Sequence, residues 1–225
     1  MPRHSAPSPR AVGRRYLHDA TFRWYVGICA GLTLNLCYAV FRTVTGLLWG
    51  SVWLIASAVY FLLLALIRVS LAVSYRRRAG KPADFERRRY LCTARLLFLL
   101  NLLMSALILL TLAGNSEVSA YPGYTIYASA TYTFWLLTHA VVQTVRFRRV
   151  GSPILSASGA VSLVAALMSL FGLQNGMIVT FSAQADGFRQ LMNTLTGIGI
   201  SLATVGIAIA MRVRAATSER EELHE

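Results

Sequence analysis

Polar side chains inside long apolar stretches are the residues of this sequence that could do chemistry. Polar groups in a membrane interior are costly, and they usually face a bundle interior or a water-filled path. We therefore treat such residues as candidates for a substrate path. They are Asn35, Arg68, Asn101, His139, Gln143 and Asn193.

Most of these candidates also have an interpretation that needs no ligand. Asn35 and Asn101 would form hydrogen bonds between helices. Arg68 lies eight residues before Arg76, about 12 Å along a helix, so its long side chain would reach the lipid headgroups. His139 and Gln143 lie one helical turn apart and share a face. These two residues could form a proton relay or contact a substrate. Alternatively, His139 would only form a hydrogen bond to a neighbouring helix.

The sequence lacks the residue patterns of common catalytic and metal sites. No Asp or Glu lies inside any of the long apolar stretches, which disfavours proton coupling through an intramembrane carboxylate. No P-loop, nucleophile elbow, HExxH helix or dinucleotide fingerprint occurs. Cys29, Cys37 and Cys92 do not have the spacing of a metal site or a disulfide. We predict no catalytic residue, no metal and no cofactor.

The elements that must position these residues are membrane helices. The chain has 225 residues, of which 56% are hydrophobic and 14% charged, a composition outside the range of soluble domains. About 20 apolar residues span a bilayer as a helix. The sequence therefore predicts an all-α, polytopic integral membrane bundle with six transmembrane helices, at about 24–41, 46–74, 91–114, 121–145, 153–174 and 190–211.

The segments outside these helices indicate the orientation. Arginines and one lysine cluster in the N-terminal tail (1–23), in the second and fourth connections and in the C-terminal tail (212–225), leaving Arg42 and Arg189 for the other side. This bias predicts a cell-membrane protein with both termini in the cytoplasm. The basic clusters would bind anionic lipid headgroups. No nucleic-acid-binding module accompanies the net charge of +13, so nucleic acid is not expected as a partner.

An internal repeat is a further feature. The pattern Ala-Ser-Ala-x-Tyr occurs at 56–60 and again at 128–132, each followed at the same distance by paired arginines. Repeats of two helices keep one orientation in the membrane. We therefore predict a single transmembrane domain (24–211) built from three hairpins, at about 24–78, 90–149 and 152–214.

Small residues at intervals of about four predict where helices approach closely, since membrane helices associate through such residues. Contacts within one chain, a homo-oligomer and a membrane partner subunit all fit this pattern. The residues are Gly27, Gly31, Gly46, Gly50, Ser158, Ser162, Ala166, Gly199 and Ala203.

These observations favour membrane transport of a small solute, by a channel, a carrier or a substrate-binding subunit that uses no intramembrane carboxylate. A structural or accessory subunit of a membrane complex is the alternative. A lipid-modifying membrane enzyme is the third hypothesis, and it would have to use His18 and Asp19 with the basic loops. The 175–189 segment would lie on the membrane surface, plug the outer mouth of a cavity or extend the fifth helix.

Overall fold

The regular structure of the described residues is entirely helical. A computed structural model describes residues 20–77, 82–112, 123–150, 152–181 and 186–222. This part of the chain forms six helices, and the predicted all-α class is confirmed. They are α1 (Ala20–Leu48), α2 (Val52–Arg76), α3 (Ala83–Leu112), α4 (Gly123–Val150), α5 (Pro153–Phe181) and α6 (Asp186–Glu222).

Five of these helices are long and apolar enough to cross a membrane, and α4 is not among them. Its 28 residues would still measure about 42 Å. Its polar Thr133 and Gln143 are buried, whereas Phe134 and Val141 are exposed. The helix is therefore polar towards the bundle and apolar outside. The protein is an integral membrane protein whose helices form a bundle.

Contacts between helix ends show that consecutive helices run in opposite directions. Trp24 at the start of α1 packs against Phe147 near the end of α4, with ring centroids 5.5 Å apart. Glu86 near the start of α3 accepts a hydrogen bond from Ser152, which precedes α5, at 2.9 Å. We call this the basal end of the bundle. The apical end is the end at which α1 stops and α2 begins.

Helix α5 forms the centre of the bundle and packs against all five other helices. In its most apolar window 78% of the residues are buried, compared with 28% for α1 and for α6. Small residues allow this central position because neighbouring backbones can approach closely. At Gly159, for example, an added Cβ would lie only 3.2 Å from the Cα of Thr144 on α4.

The closest helix pairs are α1 with α2, α4 with α5, and α3 with α6. The first pair corresponds to the predicted hairpin at 24–78. The predicted hairpins at 90–149 and 152–214 are not the most closely packed pairs among the described residues. The internal repeat remains a prediction from the sequence.

Several helices extend beyond their predicted ends. Helix α1 continues to Leu48, and α5 continues to Phe181. Residues 175–181 of the 175–189 segment therefore extend the fifth helix, and residues 186–189 belong to α6. Helix α6 runs to Glu222 and includes most of the predicted tail at 212–225. Of the predicted N-terminal tail, only 20–23 are described. His18 and Asp19 lie outside the described residues.

Candidate functional site

Arg68 on α2 lies in the interior of the bundle. Its side chain is fully buried, and its Nη2 donates a hydrogen bond to the Ser162 hydroxyl of α5 at 2.9 Å. The guanidinium fits against Gly31 of α1, where an added Cβ would lie 2.8 Å from Arg68 Cζ. The predicted interpretation that Arg68 reaches the lipid headgroups is therefore wrong. Gly31 leaves room for the guanidinium, and Ser162 supplies an acceptor.

Gln143 on α4 continues this hydrogen-bonded chain towards the basal end. Its Oε1 accepts a hydrogen bond from the Ser162 hydroxyl at 2.6 Å, and its Nε2 donates to the Gly27 carbonyl of α1 at 3.0 Å. The hydroxyl oxygen of Ser162 also lies 3.0 Å from the carbonyl oxygen of Ser158, one turn earlier on α5. Together with Arg68, these contacts join α1, α2, α4 and α5 through polar groups.

A second arginine, Arg42 of α1, is buried nearer the apical end, with 2% of its surface exposed. Its Nη2 donates to the Tyr38 hydroxyl at 2.7 Å, and its Nη1 donates to the Ser57 hydroxyl of α2 at 3.1 Å. The guanidinium lies against Gly172 of α5, where an added Cβ would be 3.1 Å from Arg42 Cζ. The sequence placed Arg42 in the connection after a first span that ends at 41, whereas α1 continues to Leu48 and Arg42 is buried in the bundle.

Two tyrosines connect the arginines. The rings of Tyr38 on α1 and Tyr132 on α4 are stacked, with centroids 3.9 Å apart and planes inclined by 10°. Tyr132 interacts electrostatically with both Arg42 and Arg68. Polar side chains from four helices therefore follow one another through the bundle, with no hydrogen bond between Tyr132 and Arg68 among the described residues. We call this set the polar column, and it consists of Gln143, Ser162, Arg68, Tyr132, Tyr38, Arg42 and Ser57.

The basal end of the polar column meets a small pocket between α1 and α4. The pocket has a volume of about 110 Å³, and both His139 and Gln143 line it, as does Arg146. His139 is half-buried, and its ring stacks on Trp135 with centroids 4.9 Å apart. The face that the sequence predicted for His139 and Gln143 therefore opens into a cavity.

Asn35 lies on the same face of α1 as the column. It is fully buried, and neither its amide nitrogen nor its amide oxygen has a hydrogen-bond partner among the described residues. It follows Gly31 by four residues and precedes Tyr38 by three. Gly31, Asn35 and Tyr38 therefore follow one another along this face.

Asn101 and Asn193, in contrast, hold α6 in place away from the column. Asn101 Oδ1 on α3 accepts a hydrogen bond from the Ser201 hydroxyl at 3.0 Å. Asn193 Nδ2 donates to Asn175 Oδ1 on α5 at 2.8 Å. The Asn101 contact is a hydrogen bond between two helices, which is the interpretation of Asn101 that needs no ligand.

The predicted packing residues fall into two groups. Gly27, Gly31 and Gly46 have other helices within contact distance of an added Cβ, and Ser158, Ser162 and Ala166 are buried in α5. An added Cβ at Gly50 or Gly199 would meet nothing within 4 Å, and Ala203 is exposed. These three residues do not form close helix contacts within the described part of the chain.

The polar column offers charge and hydrogen-bond donors but no acid. From Ala20 to Arg77 and from Gly123 to Phe181, the described residues include no Asp or Glu. In the same description, no group of three or more His, Cys, Asp or Glu side chains could hold a metal ion. The arrangement suits recognition of a solute by hydrogen bonds and positive charge.

Comparison with known proteins adds no family assignment. No protein-family model matches the sequence, and no curated protein is significantly similar to it. The functional argument therefore depends on the residues and their geometry.

Proposed function

We propose that this protein transports a small solute across the cell membrane, as a channel, a carrier or a substrate-binding subunit, with both termini in the cytoplasm. The supporting observation is the polar column. It begins at the basal pocket beside Gln143 and continues through Arg68 and Arg42 to Ser57, within two turns of the apical end of α2. The basic clusters at the basal end would contact anionic lipid headgroups.

The cost of this column supports a functional role. Membrane helices need only a few polar contacts to associate, each worth about 0.6 kcal/mol on average. Two buried guanidinium groups are far more expensive, because an ionised group removed from water costs several kcal/mol even after the protein relaxes. Such residues in membrane spans usually line substrate or ion paths.

The column also restricts the mechanism. Its described residues carry no carboxylate, so protons would not be exchanged through an intramembrane Asp or Glu. We propose passive movement, or movement driven by a partner subunit. The solute would enter from the pocket at His139 and Gln143 and pass along the contacts between α1, α2, α4 and α5.

Flux through reconstituted vesicles tests this proposal. Candidate ions, amino acids, nucleosides and vitamins are first screened by thermal shift on the purified protein, because a ligand at 100 times its dissociation constant stabilises by about 2.7 kcal/mol. Uptake of each hit is then measured. Gln143→Leu removes a column residue and about 1–3 kcal/mol of hydrogen bonding, so we expect flux to fall at least about fivefold.

Gln174→Leu is the matched control. Gln174 on α5 makes an equivalent hydrogen bond to Thr196 of α6 at 2.8 Å, away from the column. We expect its flux to stay close to that of the wild type. Equal loss in both variants would contradict a path along the column, and no flux for any hit would contradict transport itself.

An accessory role is the second candidate, and a groove beside α6 favours it. Ala203, Gly206 and Ala210 line this groove, which has a volume of about 320 Å³ and is also lined by Thr144 of α4 and Ala160 of α5. Gly199 and Gly206 have nothing within 4 Å of an added Cβ, and Ala203 and Ala210 between and beyond them are exposed. Small residues at this spacing let another helix approach closely. A second copy or a membrane partner recovered with the protein, together with no flux, would favour this role over transport.

A further inference from the structure

Arg68 carries a positive charge that the described protein does not neutralise. Its side chain is fully buried, and its Nη2 bonds to the neutral hydroxyl of Ser162. Its Nε and Nη1 have no hydrogen-bond partner among the residues that the structure describes. A guanidinium group stays protonated in proteins. Burial of such a charge is strongly unfavourable unless a negative charge accompanies it.

Other buried polar groups without partners lie on the neighbouring helices α1 and α4. Within the described part of the chain, the Tyr132 hydroxyl and both polar atoms of the Asn35 amide have no hydrogen-bond partner. Tyr132 interacts electrostatically with Arg68. Asn35 lies on α1 between Gly31, which contacts the Arg68 guanidinium, and Tyr38, which stacks on Tyr132. Unpaired donors from α1, α2 and α4 therefore lie around one interior region.

The helices that contribute residues to this region provide no carboxylate. Helices α1, α2, α4 and α5 contain no Asp or Glu. The described acids of α3, Asp84 and Glu86, lie in its first turn at the basal end, where Glu86 accepts a hydrogen bond from Ser152. The negative charge that the guanidinium requires must therefore come from outside these helices.

We propose that a small monovalent inorganic anion of the halide class binds between Arg68, Tyr132 and Asn35. Arg42 has its own hydrogen bonds to the Tyr38 and Ser57 hydroxyls nearer the apical end, so this region contains a single guanidinium group, which favours a monovalent anion. Arg68 and Asn35 have no exposed surface, which favours a compact ion over an organic acid. Charge-assisted hydrogen bonds from a guanidinium, a phenol and an amide would replace its water shell. This inference rests on the proposed function, since it names the solute class of the same column.

The approach to this site is also positively charged. Arg146 lines the basal pocket and is exposed. From the pocket, Gln143 leads to Ser162 and then to Arg68 through successive hydrogen bonds. A basic entrance raises the local concentration of anions.

Chloride binding to the purified full-length protein tests the inference. The protein is prepared in detergent with sodium gluconate, chloride is titrated at constant ionic strength, and binding is followed by the ³⁵Cl resonance linewidth. We expect saturable broadening that bromide displaces. Arg68→Gln should weaken chloride binding at least about tenfold, because it removes the charge-assisted hydrogen bonds.

Two further variants keep the test decisive. Arg95→Gln removes the same charge from an exposed position on α3 and should bind chloride as the wild type does. Tyr132→Phe keeps the ring that stacks on Tyr38 and removes only the hydroxyl, so it should fold even if Arg68→Gln does not, with chloride binding weakened several-fold. The inference is overturned if the wild type shows no saturable signal, or if Tyr132→Phe and Arg95→Gln bind chloride equally.

Chloride flux into vesicles separates this inference from the proposed function. Saturable chloride binding without chloride flux, and without flux of any other solute, would support the anion site and refute transport. Flux of a neutral solute without chloride binding would support transport and refute the anion site.

Discussion

Two glycines determine where the buried guanidinium groups can lie. Gly31 of α1 lies against Arg68, and Gly172 of α5 lies against Arg42. In both cases the guanidinium group is so close that an added Cβ atom on the glycine would collide with it. The arginines could not lie in the same positions beside larger residues. At both positions the missing side chain leaves room for a guanidinium group from another helix. It also lets the two helix backbones pack closely.

Gly31→Ala should therefore destabilise the protein even though alanine favours helices. The new methyl group would push the Arg68 guanidinium away from Ser162, and overpacking of this kind costs about 1–3 kcal/mol. Gly199→Ala is the control, because its methyl group would meet nothing within 4 Å and should stabilise α6 by up to about 1 kcal/mol. Thermal unfolding of both variants in detergent measures the difference. Equal unfolding temperatures would contradict a tight contact between Gly31 and Arg68.

At the scale of single residues, the sequence could predict those features that depend on neighbours within the same helix. His139 and Gln143 share a face because their spacing equals one helical turn, and both line the pocket. The position of Arg68 could not be predicted, because it depends on Gly31 of α1 and Ser162 of α5, which are distant in sequence. Arg42 was missed because its charge was taken as the end of a helix.

The connection between α1 and α2 shows how one backbone angle ends an element. Gly50 has a φ of +61°, a left-handed conformation that glycine adopts without the steric cost other residues meet. The next residue, Ser51, caps α2 and accepts a hydrogen bond from the Leu54 N–H at 3.5 Å. The sequence predicted that the second helix begins at about 46, whereas α1 continues to Leu48 and α2 begins at Val52, after this turn.

Gly50→Ala should lower the free energy of unfolding by about 1–2 kcal/mol, the cost of a left-handed conformation for an L-residue. The effect would come from the backbone alone, since nothing lies within 4 Å of an added Cβ. Gly187→Ala is the matched control, because Gly187 of α6 also faces open space but has no positive φ. Chemical denaturation in detergent measures both variants. Equal stability of the two would show that the turn tolerates another conformation.

The whole molecule shows why one helix is less apolar than a typical membrane span. Helix α4 is not among the five helices apolar enough to cross a membrane, because it contributes polar residues to the interior, including Tyr132, Gln143 and the buried Thr133. Its outer face carries Phe134 and Val145, both exposed. Sequence periodicity could locate this helix, whereas its partners required the folded bundle, because α5 and α1 supply them from distant parts of the chain.

The number of membrane crossings determines the side on which each end of the chain lies. If α4 crosses, the chain crosses six times, and both termini lie on one side as the arginine distribution predicts. Single cysteines test this, placed by Gly123→Cys and Val150→Cys at the two ends of α4 after replacement of Cys29, Cys37 and Cys92. A membrane-impermeant maleimide should label the first site in intact cells and the second only after permeabilisation. Labelling of both sites from one side would show that α4 does not cross, whereas the reverse pattern would keep the crossing and refute the cytoplasmic termini.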